Sequence, residues 1–159
     1  MSDKPKIIVA GVLDTKGNEI RFIADRVKAA GGEPLILELS VGKEVGWADI
    51  GLSEVLACAG HKSEEIFAME RGKASDIIVE GAIKRVSQLL AARQVDGIIA
   101  MAGSMGTSMA TRIMQTLPIG FPKIMLSTMA SGDVRPYVGT KDIGMLYPNR
   151  RGGSEQRHP

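Results

Sequence analysis

Apolar positions along this chain alternate between short unbroken runs and stripes at helical spacing. Lys6 to Leu13 (KIIVAGVL) is a β-branched run that ends in turn chemistry, the pattern of a buried strand. From Asn18 to Ala30, residues Ile20, Ile23, Ala24 and Val27 share one helical face, and Gly31-Gly32 stops the helix. Pro34 to Val41 predicts a second strand, which closes a βαβ unit of about 35 residues with a right-handed crossover. The stretch from Gly42 to Gly60, with four glycines and Trp47, is expected to be a loop excursion carrying a short helix from Ser53 to Cys58. Ser63-Glu64-Glu65 opens a further helical piece with Ile66, Phe67 and Met69. Ala74 to Arg93 predicts a long helix, because Ile78, Ala82, Val86 and Leu89 line one stripe. Val95 to Met101 predicts a third strand and Met105 to Leu117 the helix after it, ended by Pro118 and Gly120. Lys123 to Ser127 reads as a fourth strand and Asp142 to Tyr147 as a fifth.

Apolar strands alternating with helices specify an α/β fold: a doubly wound, mostly parallel sheet of about five strands with helices on both faces, a Rossmann-like lobe. Ligands of such sheets sit beyond the carboxyl ends of the strands. The lobe is expected to span 6–147. Residues 148–159 read as a disordered or non-native tail, since 149–159 (NRRGGSEQRHP) contain no apolar residue.

Composition narrows the function classes. With 44% hydrophobic and 24% charged residues the chain is an ordinary globular protein, and nine Met fill the core in place of scarce aromatics. The net charge of +2 comes from the tail, where Arg150, Arg151 and Arg157 face Glu155, leaving 17 basic against 17 acidic residues. A neutral lobe argues against nucleic acid as a partner. No apolar run approaches the roughly 20 residues of a membrane span, and Met1-Ser-Asp-Lys does not open a signal peptide. The lone Cys58 excludes an internal disulfide, so the expected compartment is the reducing cytoplasm.

Three turns, each after a predicted strand, carry the candidate chemistry. Gly11-Val12-Leu13-Asp14-Thr15-Lys16-Gly17 places a carboxylate, a hydroxyl and an ammonium at the end of the first strand. Asp14 suits a magnesium-bound water or a ribose hydroxyl, and Thr15 and Lys16 suit phosphate; equally, Asp14 or Thr15 suits a helix cap. The order differs from a Walker A loop, and no G-x-G-x-x-G is present. Ala102-Gly103-Ser104-Met105-Gly106-Thr107-Ser108 is the second turn. Its glycines, Gly103 and Gly106, allow close backbone approach, Ser104 and Thr107 add hydroxyls, and the helix that follows turns its positive end toward the same point. A tight connection that needs small residues for packing explains the same stretch. The third turn, Ser127-Thr128-Met129-Ala130-Ser131-Gly132-Asp133, contributes Ser131, Gly132 and Asp133 to the same predicted edge, although ordinary loops use those residues too. Elsewhere, Cys58, His61 and His158 lack metal-ligand spacing, Ser104 has no identifiable base for a triad, and Arg71-Gly72-Lys73 reads as surface before phosphate contact.

The order GVLDTKGNE, MERGKA, MAGSMGTSMAT and STMASGDVRPYVGTKDIGMLY resembles the Tm-one-like ATP-binding family, from about Lys6 to Tyr147. That family includes the amino-terminal region of a plant protein that resists tomato mosaic virus. The resemblance implies ATP and magnesium as cofactors. It makes Asp14, Thr15, Lys16, Gly103, Ser104, Gly106, Thr107, Ser131, Gly132 and Asp133 the ligand contacts. It also implies a second lobe, which family members continue into after the position of Met145. Here Pro148-Asn149-Arg150-Arg151-Gly152 follows, so that lobe is expected to be absent. Where many relatives carry consecutive glycines, this chain has Ala102-Gly103 and Met105-Gly106.

Three functional readings follow from these residues. The first is a nucleotide-binding domain, Mg-ATP by resemblance, working as a homo-oligomeric or ligand-controlled module. The second is an enzyme acting on a phosphorylated small molecule, with Lys16 and Asp14 as acid and base. The third is a protein-interaction module whose pocket is vestigial.

Overall fold

The computed structural model describes residues 3–148. Five strands form one sheet: β1 (Lys6–Gly11), β2 (Glu33–Glu38), β3 (Gly97–Ala102), β4 (Lys123–Ser127) and β5 (Gly144–Leu146). Their order is β2-β1-β3-β4-β5, and every pair is parallel. Six helices connect them: α1 (Leu13–Ala29), α2 (Leu52–Cys58), α3 (Ser63–Phe67), α4 (Arg71–Ala91), α5 (Ser104–Met114) and α6 (Arg135–Val138), with a 3-10 turn at Thr128–Ser131. This is one of the two common doubly wound strand orders.

Alternation along the strands assigns the two faces. Leu37, Ala10, Ala100, Met125 and Met145 form one row across the sheet, and the buried residues of α2, α4 and α5 pack on that side. Ile36, Val9, Ile99 and Ile124 form a row on the other side, where Ile20 and Ile23 of α1 meet Val9. Chain direction explains the division. The step from β1 to β2 runs opposite to the steps from β2 to β3 and from β3 to β4, so right-handed crossovers put α1 on the opposite face from α4 and α5. No helix among the described residues is long and apolar enough to cross a membrane.

Element boundaries differ from the sequence reading where a turn contains apolar residues. β1 ends at Gly11 and β2 at Glu38, because Val12, Leu39 and Val41 are buried as turn residues and Leu13 as the start of α1, not as strand. α1 starts at Leu13 through a one-turn piece that joins the main helix at a kink, Lys16 (φ −124°, ψ 22°). α4 begins at Arg71, three residues before the expected start at Ala74. β5 shrinks to three residues, and α6 has no counterpart in the periodicity. The expectation for the tail at 149–159 lies outside the described residues.

Lys123 anchors the start of β4 from inside the protein. Its side chain is fully buried, and Nζ donates to the carbonyls of Pro118 (2.7 Å) and Phe121 (2.8 Å) and to Asp142 Oδ1 (2.7 Å). Burial of a lysine is tolerated here because all three of its protons have acceptors. Asp142 also accepts from the Gly120 N–H at 2.8 Å. The bond from Lys123, and after it the one from Gly120, lower the Asp142 carboxyl from 3.8 to about 2. A carboxylate depressed in the folded state stabilises the fold above its unfolded value and loses that contribution as pH falls through the folded one. Thermal melts between pH 5 and pH 2 are therefore expected to show a loss of stability below about pH 4 that Asp142→Asn flattens, while lowering the melting temperature at neutral pH. Parallel pH profiles of the two proteins would contradict this role.

Candidate functional site

Strand order reverses between β1 and β3, whose connections leave in opposite directions and open a crevice at their carboxyl ends. The loop after β1 and the start of α5 line a cavity of about 200 Å³ there, formed by Val12, Thr15, Lys16, Arg71 and residues 102–106. A depression of about 260 Å³ lies at the opposite end of the sheet, where Glu54 pairs with Arg85 and Asp49 accepts from the Ile36 N–H. It sits at the edge that doubly wound sheets do not use.

The N-terminus of α5 supplies the donors. Gly103 is its extended N-cap (φ −82°, ψ −154°) and offers no side chain to cap the helix. The first intrahelical bond runs from the Thr107 N–H to the Gly103 carbonyl, 3.0 Å, which leaves the preceding N–H groups without a helix partner. They and the helix dipole face the crevice. Lys16 and Arg71 bring two cationic side chains, and neither belongs to an ion pair among the described residues. No carboxylate lines the cavity. The arrangement favours an anion.

The structure brings together Thr15, Lys16, Gly103, Ser104 and Gly106 from the sequence-predicted set, and separates the others. Thr15 Oγ1 donates to the Val12 carbonyl at 3.2 Å, and Ser104 is exposed at the cavity. Thr107 is fully buried and points inward. Its hydroxyl donates to the Gly103 carbonyl and stands 2.6 Å from Ser127 Oγ, which accepts from the Met129 N–H at 2.9 Å. A hydroxyl has one proton, so the bond to Gly103 makes Ser127 the donor to Thr107. The resulting chain, Met129 to Ser127 to Thr107 to Gly103, ties the turn after β4 to the start of α5.

Asp14 turns toward the loop after β2. Its N–H donates to Ser40 Oγ and its Oδ2 accepts from the Gly42 N–H, both at 3.1 Å; Oδ1 is buried without a partner. Asp14 thus fastens two loops of the same edge. Ser131, Gly132 and Asp133 share that edge but do not line the cavity. Ser131 Oγ donates to the Thr128 carbonyl, the Gly132 N–H to the Met129 carbonyl, and Asp133 takes a two-bond ion pair from Arg135 (2.8 and 2.9 Å). Those bonds from Arg135 hold the Asp133 carboxyl below its usual range.

Arg71 is the lining residue that sequence reasoning undervalued. It begins α4, far from the small-residue turns in the chain, and only the packing of α4 beside α5 brings it to the crevice.

The N-terminal-domain model of the uncharacterised protein family UPF0261 matches residues 5–148, nearly all of the described chain. The chain belongs to the UPF0261 family. A UPF0261 protein of Clostridium tetani is 41% identical over 144 residues, covering 89% of this chain and 36% of the relative. One from Rhizobium meliloti is 38% identical over 143 residues, covering 89% and 35%. The ToMV resistance protein Tm-1 of Solanum lycopersicum is 30% identical over 165 residues, covering 93% of this chain and 22% of the tomato protein. This chain thus spans about a third of the bacterial UPF0261 proteins it matches.

Two substitutions separate packing from display at α5. A Cβ on Gly106 would stand 2.6 Å from the Ala102 Cβ and 3.0 Å from Val12 Cγ2, whereas one on Gly103 would meet nothing within 4 Å. Gly106→Val is expected to cost about 1–3 kcal/mol in denaturant melts, as overpacking does, and Gly103→Ala to stay within about 0.5 kcal/mol. Thr107→Val should also cost about 1–3 kcal/mol, because it leaves the Ser127 hydroxyl buried without its acceptor. Equal stability of the Gly106 and Gly103 variants would contradict the close approach.

Proposed function

We propose that this UPF0261 domain is a cytoplasmic nucleotide-binding module whose switch-point crevice holds the phosphates, with ATP as the leading ligand. The observation that carries the reading is the uncapped N-terminus of α5 flanked by Lys16 and Arg71 in a cavity with no lining carboxylate. Free N–H groups, a helix dipole and two cations act on the same point, and phosphate is the common biological anion that uses all three. The resemblance to the Tm-one-like ATP-binding family supports the nucleotide.

The cavity's size divides the ligand. At about 200 Å³ it falls below the roughly 300–1,000 Å³ of pockets that enclose a whole drug-sized molecule. Phosphates therefore enter the crevice, and the ribose and base lie outside it. Magnesium finds less support in the side chains. Among the described residues no group of three His, Cys, Asp or Glu gathers, and the nearby carboxylate, Asp14, is engaged with Gly42. Magnesium carried on the phosphates, with water completing its shell, suits this site better than a protein-held ion. Asp14 lies outside the cavity lining, which weighs against it as an acid or base partner of Lys16, so binding is the stronger reading than catalysis.

Isothermal titration with ATP, with and without magnesium, tests the proposal. Saturable binding is expected, weakened roughly tenfold or more by Arg71→Ala and by Lys16→Ala, as the loss of a charge-assisted bond requires. Absence of binding at millimolar ATP, or unchanged affinity in both variants, would sink it.

A further inference from the structure

Among the described residues, no helix covers one half of the sheet on one side. In an all-parallel sheet both faces are normally covered. Here the side carrying α2, α4 and α5 is covered, while α1 on the other side reaches only β1 and its neighbours. Beyond α1, Ile124 of β4 is 36% exposed and Leu146 of β5 56% exposed, with Phe22 of α1 at 64%. Between them runs a groove of about 470 Å³ lined by Phe22, Ile23, Met101, Leu126 and Pro148, with Asn18 and Glu19 at one end. A continuous apolar patch of this kind marks an interaction surface.

We propose that this groove is the docking surface for the polypeptide that follows this domain in full-length UPF0261 proteins, seated through the apolar stripe of a helix. The matched domain is the N-terminal one, and it accounts for 36% of the Clostridium tetani relative, so roughly two thirds of that protein must pack somewhere. The route lies beside the groove, because β5 ends at Leu146, the register partner of the lining residue Leu126, and Pro148 lines the groove. Handedness points the same way. Steps from β3 to β4 and onward to β5 place their connections on the covered face, and a helix that turns back after β5 falls on the bare one, as α1 does. Residues 149–159 contain no apolar side chain, so the occupant comes from further along the relatives' chains. This inference stands apart from the nucleotide reading, since none of the residues of the groove lines the crevice.

The test compares one pair of substitutions in two proteins. Phe22→Glu, in the groove lining, with Leu146→Glu is made in the 159-residue chain, and glutamates are placed at the matching positions of the full-length Clostridium tetani relative. The short chain is expected to keep its sedimentation behaviour and its melting temperature, and to lose its binding of an apolar fluorescent dye. The full-length relative is expected to lose on the order of 5 °C or more and to gain proteolytic cleavage after the first domain. Phe22→Gln with Leu146→Thr, which preserves helix propensity at the first and strand propensity at the second, should reproduce the difference at smaller size. Equal tolerance in both proteins, or equal loss in both with either pair, overturns the proposal. So does a dimer of the short chain that the glutamates dissociate, which would assign the face to a second copy.

Discussion

The carboxyl edge of this sheet depends on how closely α5 can approach β1 and β3, and a missing methyl group sets that distance. Gly106 sits where any side chain would collide with Ala102 and Val12, the residues that end β3 and follow β1. Because Ala102 belongs to the strand, the collision cannot be relieved by a rotamer change. The glycine therefore lets the first turn of α5 lie across the strand ends, which places its free N–H groups over the reversal of strand order. Thr107, one residue later, locks the position by bonding back to Gly103 and across to Ser127. Packing and polar bonding thus fix one geometry from two directions.

Buried polar groups do comparable work at the other end of the same edge. Glu38, the last residue of β2, is fully buried, and its two oxygens accept from the N–H groups of Val45 (2.9 Å) and Leu52 (3.1 Å). One carboxylate thereby gathers both ends of the glycine-bearing excursion after β2 and satisfies donors that its irregular backbone would otherwise leave unpaired. Asp14 and Ser40 then join that excursion to the turn after β1. The long loop is ordered by side chains of the strand edges, which is why it can border a site without regular structure of its own.

Such bonds also mark where reading the sequence stops. Strand and helix order was legible because apolar runs and stripes reflect burial against a layer, and Lys123–Ser127 was delimited correctly for that reason. Turn residues that are apolar and buried, such as Val12 and Leu39, carry the same signature as strand and shifted the boundaries. Two of the three turns converge as their position after β1 and β3 implied. The contribution of the third was legible only as an edge, since Ser127 and not Ser131 makes the connection, through a hydroxyl chain that no spacing rule announces. Arg71 escaped for a different reason: its role is created by tertiary packing between α4 and α5, and a local pattern holds no record of that.

Electrostatics at the crevice sharpens the chemistry beyond what the charge balance suggested. The described domain is close to neutral, yet Lys16 and Arg71 meet at one point with an α-helix N-terminus and without a lining acid. A neutral surface with a local positive focus does not attract polyanions along an extended track, because the field falls off within about 8–10 Å at ordinary salt. Its geometry suits a compact anion, which would reach the focus and displace water from the free N–H groups. The helix dipole adds to this without needing a counter-charge of its own, whereas an acidic residue beside Lys16 would have consumed the field in an ion pair. The same reasoning explains why Asp14, the carboxylate closest in sequence, is turned away and bonded to the Gly42 N–H. Its withdrawal keeps the focus positive, and its Oδ2 fastens the neighbouring loop.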